Sequence, residues 1–283
     1  MGVPLFLCLL FLMFTTVCGS GFNDDPNLDE KSYKENWMES IPDDKLLSAV
    51  TIPGTHQSLN LYDWPFSKRQ VWTLEKQLKA GLRYFDIKVR KTKNYLYVGN
   101  WRIVIHKFDE ILKILMDFLD KHSSETLILR VTLPEKESKE ARQSIKNLTE
   151  KYEDKVWTKT YVPSMRNARK KIVFMQTTHF NIGTINHNTF VNGDEKFKDI
   201  EHKMKKIKQR LKEAKENCAR VITLTSIYST DFKPPKSLAK VVNDRLNELI
   251  VTLHRDSDQQ NCLGIINMDF PSPELIQNII EVN

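Results

Sequence analysis

Six short β-branched or apolar runs, separated by longer amphipathic stretches, most constrain how this chain can fold. The runs are LLSAVTI (46–52), LRYFDIKV (82–89), TLILRVTL (126–133), KIVFMQ (171–176), RVITLTSI (220–227) and LGIINMDF (263–270). Between the second and third runs, one helical face of residues 108–121 collects the apolar side chains Ile111, Leu112, Leu115, Met116 and Leu119. Strands that alternate with helices predict an α/β domain with a mainly parallel sheet.

Two architectures of this class suit a chain of 283 residues: an open doubly wound sheet and a closed barrel. An open sheet that binds a dinucleotide carries a Gly-rich loop after its first strand, and no G-x-G-x-x-G or G-x-x-x-x-G-K-[ST] occurs here. A barrel places its chemistry at the carboxyl ends of several strands. Four ionisable residues follow or end a predicted strand: His56, Asp86, Lys88 and Asp269. These positions suit a barrel, the open sheet stays possible, and no repeat or Gly/Ser-rich linker divides residues 21–283 into separate domains.

The first 20 residues, MGVPLFLCLLFLMFTTVCGS, are apolar and uncharged and end in small residues. Their apolar core is short against the roughly 20 residues of a membrane-spanning helix. This pattern predicts a secretory signal peptide at residues 1–20, and the alternative is an uncleaved anchor. We expect a secreted, extracellular protein.

Export affects how the remaining cysteines and one glycosylation motif are interpreted. With the signal removed, Cys218 and Cys262 are the cysteines of the mature chain, and an oxidising compartment allows them to pair. The sequence alone does not establish their distance. Asn147, in Asn-Leu-Thr, is a candidate N-glycosylation site.

The net charge of +7 is concentrated in a lysine-rich segment around KMKKIKQRLKEAK (203–215). Apolar residues recur through this region at alternating spacings of three and four, namely Phe197, Ile200, Met204, Ile207, Leu211 and Ala214. The spacing predicts a helix with one buried stripe and a solvated lysine face. The alternative is a contact of Lys203, Lys205 and Lys206 with an anionic membrane. We expect no nucleic-acid partner.

Each candidate site residue also has a purely structural interpretation. His56 follows Gly54 and Thr55 at a strand end, where loops carry function more often than core. Asp269 ends the apolar run GIINM, where a buried carboxylate needs a partner such as a histidine. The alternative is that Asp269 caps the N-terminus of the helix predicted from SPELIQNII, but Ser272 is better placed for that role.

Asp86 and Lys88 share a face of one predicted strand because they are two residues apart. They are candidate catalytic groups at the barrel mouth. The alternative is an ion pair between them, since charges that face into a barrel need partners.

Five stretches of the chain resemble the X domain of phosphatidylinositol-specific phospholipase C, in its secreted, bacterial-like, single-domain form. They are SAVTIPGTHQS, QVWTLEKQLKAGLRYFDIKVR, FLDKHSSETLILRVT, ARKKIVFMQ and LGIINMDFP, and they follow one another in order along nearly the whole mature chain. The resemblance implies a distorted TIM-type (β/α) barrel and a phosphoric diester hydrolase that acts on inositol phospholipids.

The resemblance also implies a mechanism with two histidines. One deprotonates the inositol 2-hydroxyl, which attacks phosphorus, and the other protonates the departing diacylglycerol oxygen. His56 matches the general base, and Asp269 matches the carboxylate that orients it.

Several positions depart from the family pattern. Gln57 stands where the family has Asp, or Asn in its calcium-dependent branch, and Gly99-Asn100 stand where the second histidine belongs in His-Gly. His106, seven residues after Gly99, is the remaining candidate acid. Lys88 replaces an arginine that neutralises the phosphate, and its charge argues against bound calcium. We therefore expect no cofactor.

The inositol-gripping Lys and Arg of the family align with Thr132 and the region of Thr177. Loss of a general acid costs about 10²- to 10⁴-fold in rate. Our leading hypothesis is an incomplete site that acts by binding a phosphorylated ligand or a membrane surface. One alternative is an active, metal-independent phosphodiesterase with an altered substrate, using His56 as base and His106 or water as acid. Another is an interaction protein that uses only the lysine-rich helix.

Overall fold

The computed structural model describes residues 20–62, 68–99, 104–186, 199–228, 234–255 and 262–283. The predicted signal peptide, except for Ser20, lies outside these residues, as does Phe197 of the predicted apolar stripe. Among the described residues, no helix is both long enough and apolar enough to cross a bilayer.

The described part of the chain contains nine strands and seven α-helices, mostly in alternation. The strands are β1 Ile52–Thr55, β2 Tyr84–Lys91, β3 Leu96–Gly99, β4 Val104–Lys107, β5 Leu127–Thr132, β6 Val156–Trp157, β7 Ile172–Met175, β8 Leu224–Ser226 and β9 Ile265–Met268. The helices are α1 Leu74–Lys79, α2 Phe108–Lys121, α3 Ser138–Glu150, α4 Met165–Ala168, α5 Ile200–Asn217, α6 Pro235–Arg255 and α7 Pro273–Glu281.

Seven of these strands form a curled parallel sheet in the order β6-β7-β5-β2-β1-β9-β8. Two isolated parallel bridges, from Met175 to Thr184 and from Asn186 to Ile222, bring its two edges towards each other. The antiparallel strands β3 and β4 extend the sheet beyond the second half of β2. This is the mainly parallel α/β sheet that the alternating pattern predicts, curled into the barrel-type form that the family resemblance implies.

Two apolar clusters lie on opposite faces of the sheet. One packs the helices against outward-facing residues such as Phe85, Leu129 and Ile266. The other fills the concave side with Ile52, Tyr84, Ile128, Val173, Leu224 and Ile265. Because side chains alternate along a strand, the concave face carries the even-numbered residues of β1, β2 and β5. It carries the odd-numbered residues of β9.

Most predicted elements are present, with three differences. Helix α2 has the predicted bounds, but the first predicted run at 46–52 is a 3₁₀ turn, Leu47–Ala49, followed by the start of β1 at Ile52. The hairpin β3–β4 and the short strand β6 were not predicted. Their sequences lack the strict alternation by which isolated strands are recognised.

The lysine-rich segment forms α5, and its predicted apolar stripe is buried at Met204, Ile207, Leu211 and Ala214. The prediction for Lys203 is wrong. Its side chain is buried, and its Nζ donates hydrogen bonds to the carbonyls of Ser226 and Tyr228 at the end of β8. Lys205 is exposed and Lys206 is half-buried, so these two remain on the solvent side.

A disulfide joins Cys218, just after α5, to Cys262, just before β9. It ties the C-terminal end of a helix to the start of a central strand. Asn147 lies exposed on α3, where its Oδ1 accepts a hydrogen bond from Gln143. Its glycosylation stays a prediction.

A fully buried ion pair lies near the start of β2. Arg83 Nε donates to Glu125 Oε2 over 2.7 Å, and both side chains are inaccessible to solvent. The guanidinium also donates to four backbone carbonyls, those of Lys34, Glu35, Leu78 and Leu82. The pair therefore joins the N-terminal segment, α1, β2 and the loop before β5.

We predict that Arg83→Met lowers the free energy of unfolding by about 3–5 kcal/mol, because it leaves Glu125 as an uncompensated buried charge. Urea unfolding followed by circular dichroism measures the change. The control is Lys113→Met, which breaks an exposed pair with Asp117 and should cost less than about 1 kcal/mol. Equal effects of the two substitutions would contradict the assignment.

Candidate active site

The loop that carries His56 is fixed on both sides by backbone-directed hydrogen bonds. The amide of His56 donates to the carbonyl of Met268, which continues the pairing of β1 with β9. The side-chain amide of Gln70 donates to the carbonyls of both His56 and Met268. His56 therefore has a defined position at the carboxyl end of β1.

Ser58 and Gln77 hold the other side of this loop. Ser58 accepts a hydrogen bond at Oγ from the amide of Asp86, and its own amide donates to the Asp86 carbonyl. Gln77, on α1, accepts from Thr55 Oγ1 and donates to the Ser58 carbonyl. The sequence after the Pro-Gly pair thus locks β1 to β2 and α1.

His56 and Asp269 make the contact that their positions predict. His56 Nδ1 lies 3.0 Å from Asp269 Oδ1, and both side chains are buried. The second oxygen, Asp269 Oδ2, accepts a hydrogen bond from Arg69 Nη1 over 2.8 Å. Arg69, which the sequence did not suggest, makes this a buried group of three residues.

Tyr228 covers one face of the imidazole. Its ring is stacked on that of His56, with centroids 3.4 Å apart and planes inclined by 6°. Lys203 Nζ donates a hydrogen bond to the backbone carbonyl of Tyr228. The contact closes this face of the imidazole to a ligand.

Asp86 pairs with Arg130 and not with Lys88, which corrects the alternative drawn from the sequence. Arg130 Nη1 lies 3.1 Å from Asp86 Oδ2, and the two residues are register partners on β5 and β2. Burial, the largest single effect, lowers the pKa of Arg130, but the combined effects of Asp86, Tyr84 and Tyr228 outweigh it, so the pKa is raised. Lys88 lies further along β2 and is exposed.

Beneath this layer, Tyr84 fills the barrel against Gly54. A Cβ at Gly54 would lie 2.5 Å from the Tyr84 ring, so glycine is required for this packing. Burial, reinforced by Asp86, raises the pKa of Tyr84 well above its usual value. The Tyr84 hydroxyl and the side-chain amide of Asn267 are buried and have no hydrogen-bond partner among the described residues.

The register of the β3–β4 hairpin argues against His106 as the acid. Val98 pairs with Val89, and His106 pairs with Val98. Directly opposed residues of antiparallel strands share a face, so His106 lies on the face of Val89. Lys88 and Asp86 lie on the other face, and the structure therefore does not bring His106 to His56 and Asp269.

The positions predicted to depart from the family pattern lie around the same end of the barrel. Gly99 follows Val98 in β3, which places it beside Lys88, and its φ of 148° is a conformation that favours glycine. Gln57 accepts a hydrogen bond from Asn60 and has a φ of 42°. Thr132 is the register partner of Lys88, and Thr177 donates to the Val131 carbonyl.

No three His, Cys, Asp or Glu side chains within the described ranges come together as a metal site. A cavity of about 570 Å³ lies away from the barrel mouth, beside α3 and β6, and its lining includes Lys146, Trp157 and Lys171. None of the predicted catalytic residues contributes to that cavity. The chemistry therefore has to be sought at the strand ends.

The curled parallel sheet thus presents a buried histidine–carboxylate pair at its strand ends, where barrel enzymes place their chemistry. Residues 44–178 match the family described as "Phosphatidylinositol-specific phospholipase C, X domain". Residues 44–178 therefore carry the X domain of phosphatidylinositol-specific phospholipase C, as the motifs predict.

Individual relatives agree with this assignment. A 1-phosphatidylinositol phosphodiesterase of Listeria monocytogenes is 26% identical over 312 residues, covering 99% of this chain and 96% of the relative. The enzyme of the same name from Staphylococcus aureus is 31% identical over 132 residues, covering 42% of this chain and 39% of the relative.

Solved structures confirm the predicted barrel fold. The phosphatidylinositol-specific phospholipase C from Listeria monocytogenes superposes with a TM-score of 0.77 at 25% identity, covering 89% of this chain and 99% of that one. A structure of the Staphylococcus aureus enzyme gives a TM-score of 0.71 at 20% identity, covering 90% and 99%, and supports the fold alone.

We predict that Lys203→Met lowers the free energy of unfolding by about 1–3 kcal/mol, because the carbonyls of Ser226 and Tyr228 lose a buried charged donor. Lys205→Met, on the exposed face of the same helix, should change it by less than about 0.5 kcal/mol. Thermal or urea unfolding distinguishes them. Indistinguishable variants would mean that Lys203 contributes nothing through these bonds.

Proposed function

We propose that the barrel mouth binds a phosphodiester, in the first place the headgroup of an inositol phospholipid, and cleaves it slowly or not at all. The observation that carries this proposal is an oriented base whose two predicted acid positions, 99 and 106, supply no acid beside it. His56 is buried against Asp269, whereas Gly99 stands at the second histidine position and His106 lies on the other face of the sheet. We propose that the protein acts outside the cell, at a membrane surface.

The charges around the mouth suit a single phosphate. Arg130 contacts Asp86 through Nη1 alone, in a monodentate pair. Its other N–H groups can donate hydrogen bonds to an anion. Lys88 adds an exposed positive charge two residues along β2 from Asp86. We expect no calcium requirement, because Lys88 puts a cation where the calcium-dependent relatives place a carboxylate.

The same geometry limits the chemistry. With Nδ1 directed at Asp269, His56 Nε2 accepts the proton of an attacking hydroxyl. The departing alkoxide of a diacylglycerol then has no protein donor at position 99. A missing general acid costs about 10²- to 10⁴-fold in rate, and the penalty is smaller for a leaving group that needs no proton.

The intact His56–Asp269 pair supports a second function, an active phosphodiesterase with an altered substrate. This enzyme would act on esters of acidic alcohols or phenols, in which the leaving group departs as a stable anion. Both functions use the same mouth, and they differ in whether bond cleavage follows binding.

We predict that the protein cleaves phosphatidylinositol in mixed vesicles at the background rate, while an aryl ester of inositol phosphate is cleaved measurably and in a His56-dependent way. Release of inositol phosphate and of the phenol measures the two reactions for the wild type and His56→Ala. His254→Ala, at the exposed end of α6, is the control. Rapid phosphatidylinositol cleavage that His56→Ala abolishes would show that the site is complete.

Binding can be tested separately through Arg130 and Asp86. We predict that Arg130→Gln weakens the binding of myo-inositol 1-phosphate about tenfold or more, because a charged hydrogen bond is worth about 1.5–3 kcal/mol. Asp86→Asn should strengthen binding, because it removes the carboxylate that competes for Arg130. Isothermal titration calorimetry measures both affinities.

Two further results complete the binding test. Arg130→Lys keeps the charge and controls for loss of fold, which thermal unfolding monitors in each variant. Weaker binding by Asp86→Asn would contradict competition for Arg130, as would unchanged binding by Arg130→Gln.

The membrane contact proposed for the lysine-rich helix is restricted to Lys205 and Lys206, because Lys203 is buried. Their charges, on the solvent side of the helix, would assist the approach to an anionic surface, each by about 1 kcal/mol near the membrane.

A further inference from the structure

Asp269 uses both of its carboxylate oxygens inside the protein. Oδ1 faces His56 Nδ1 at 3.0 Å, and Oδ2 accepts from Arg69 Nη1 at 2.8 Å. The Arg69 side chain is 11% exposed and that of Asp269 only 3%. The guanidinium thus lies on the far side of the carboxylate from the imidazole.

The backbone at residues 69 and 70 is hydrogen-bonded to the segments that carry His56 and Asp269. The carbonyl of Arg69 accepts from the amide of Phe270, directly after Asp269, and the amide of Arg69 donates to the Asn60 carbonyl. Gln70, the next residue, bonds to the carbonyls of His56 and Met268. Arg69 is therefore held in a fixed relation to both members of the pair.

A carboxylate needs such a restraint if it is to orient a histidine. The terminal torsion of an aspartate is broad and roughly two-fold, so the contact with His56 does not by itself fix the carboxylate plane. A second strong hydrogen bond at Oδ2 fixes it. A buried carboxylate also needs a compensating charge, and Arg69 supplies one without involving the imidazole.

We propose that Arg69 is a positioning residue for the base: it holds Asp269 so that the proton of His56 stays on Nδ1 and Nε2 is directed to the ligand. The inference rests on the proposed function in one respect: that Nε2 of His56 accepts the proton of the attacking hydroxyl. Removal of Arg69 frees the carboxylate to rotate, and the imidazole then populates the tautomer with its proton on Nε2, which cannot act as a base.

The experiment measures the tautomer of His56 directly, by ¹⁵N NMR of the imidazole nitrogens in the full-length mature protein. We expect one tautomer in the wild type, with the proton on Nδ1, and a mixture in Arg69→Met. Arg69→Lys, which keeps a charged donor, should restore most of the wild-type spectrum. Arg166→Met, the same change at an exposed arginine, should leave it unaltered.

The aryl substrate supplies a second readout. Arg69→Met should lower kcat about 10- to 100-fold, the usual effect of removing a group that orients an active-site ligand, and should leave KM unchanged. A higher KM with an unchanged kcat would instead indicate a contact between Arg69 and the ligand, and would overturn the proposal.

The NMR result decides the inference independently of catalysis. If Arg69→Met keeps a single Nδ1-protonated tautomer, Asp269 suffices alone and the proposal is wrong. If the tautomer shifts while no substrate is turned over, the positioning role holds and the proposed chemistry fails. Should Arg69→Met not fold, Arg69→Gln takes its place with the same expected shift and the same contradicting result.

Discussion

The parallel pairing of β1 between β2 and β9 is the constraint on which the rest of the structure depends. Its register sets Gly54 beside Tyr84 on one side and beside Asn267 on the other. Two residues further along these strands, the chain delivers His56, Asp86 and Asp269 to one level of the barrel. Gly54 permits this arrangement because its missing side chain makes room for the Tyr84 ring beneath the site.

Charges at the barrel mouth are arranged in internally compensated pairs. Asp269 lies between His56 and Arg69, and Asp86 bonds to Arg130. Burial makes this necessary, because an unpaired charge out of water costs several kcal/mol. The arrangement also shapes the proposed function. An incoming phosphate has to share Arg130 with a carboxylate already in place, and it finds an oriented base, without a proton donor at position 99.

Much of the framework was predictable from the chain alone. The alternating runs predicted the mainly parallel α/β sheet, and the family resemblance predicted the barrel. The strand-end positions of His56 and Asp269 predicted their contact. Arg69, Arg130 and Tyr228 were missed because each acts through a partner from a distant strand or loop, and no local pattern marks such a contact. Arg130 lies within an apolar run, where a charged residue among buried neighbours is itself a signal for a buried partner.

Sequence by itself determined most of the elements, the fold class and the family resemblance, because hydrophobic periodicity and short strand-end motifs are local properties. Only the tertiary structure decided which charges meet: Asp86 with Arg130 instead of Lys88, Asp269 with Arg69 as well as His56, and Lys203 with the end of β8 instead of solvent. It also decided that His106 faces away from the site, since the hairpin register sets that face. Pairings of this kind depend on how strands are aligned across the sheet, and residues far apart in the chain acquire that alignment only when the barrel forms.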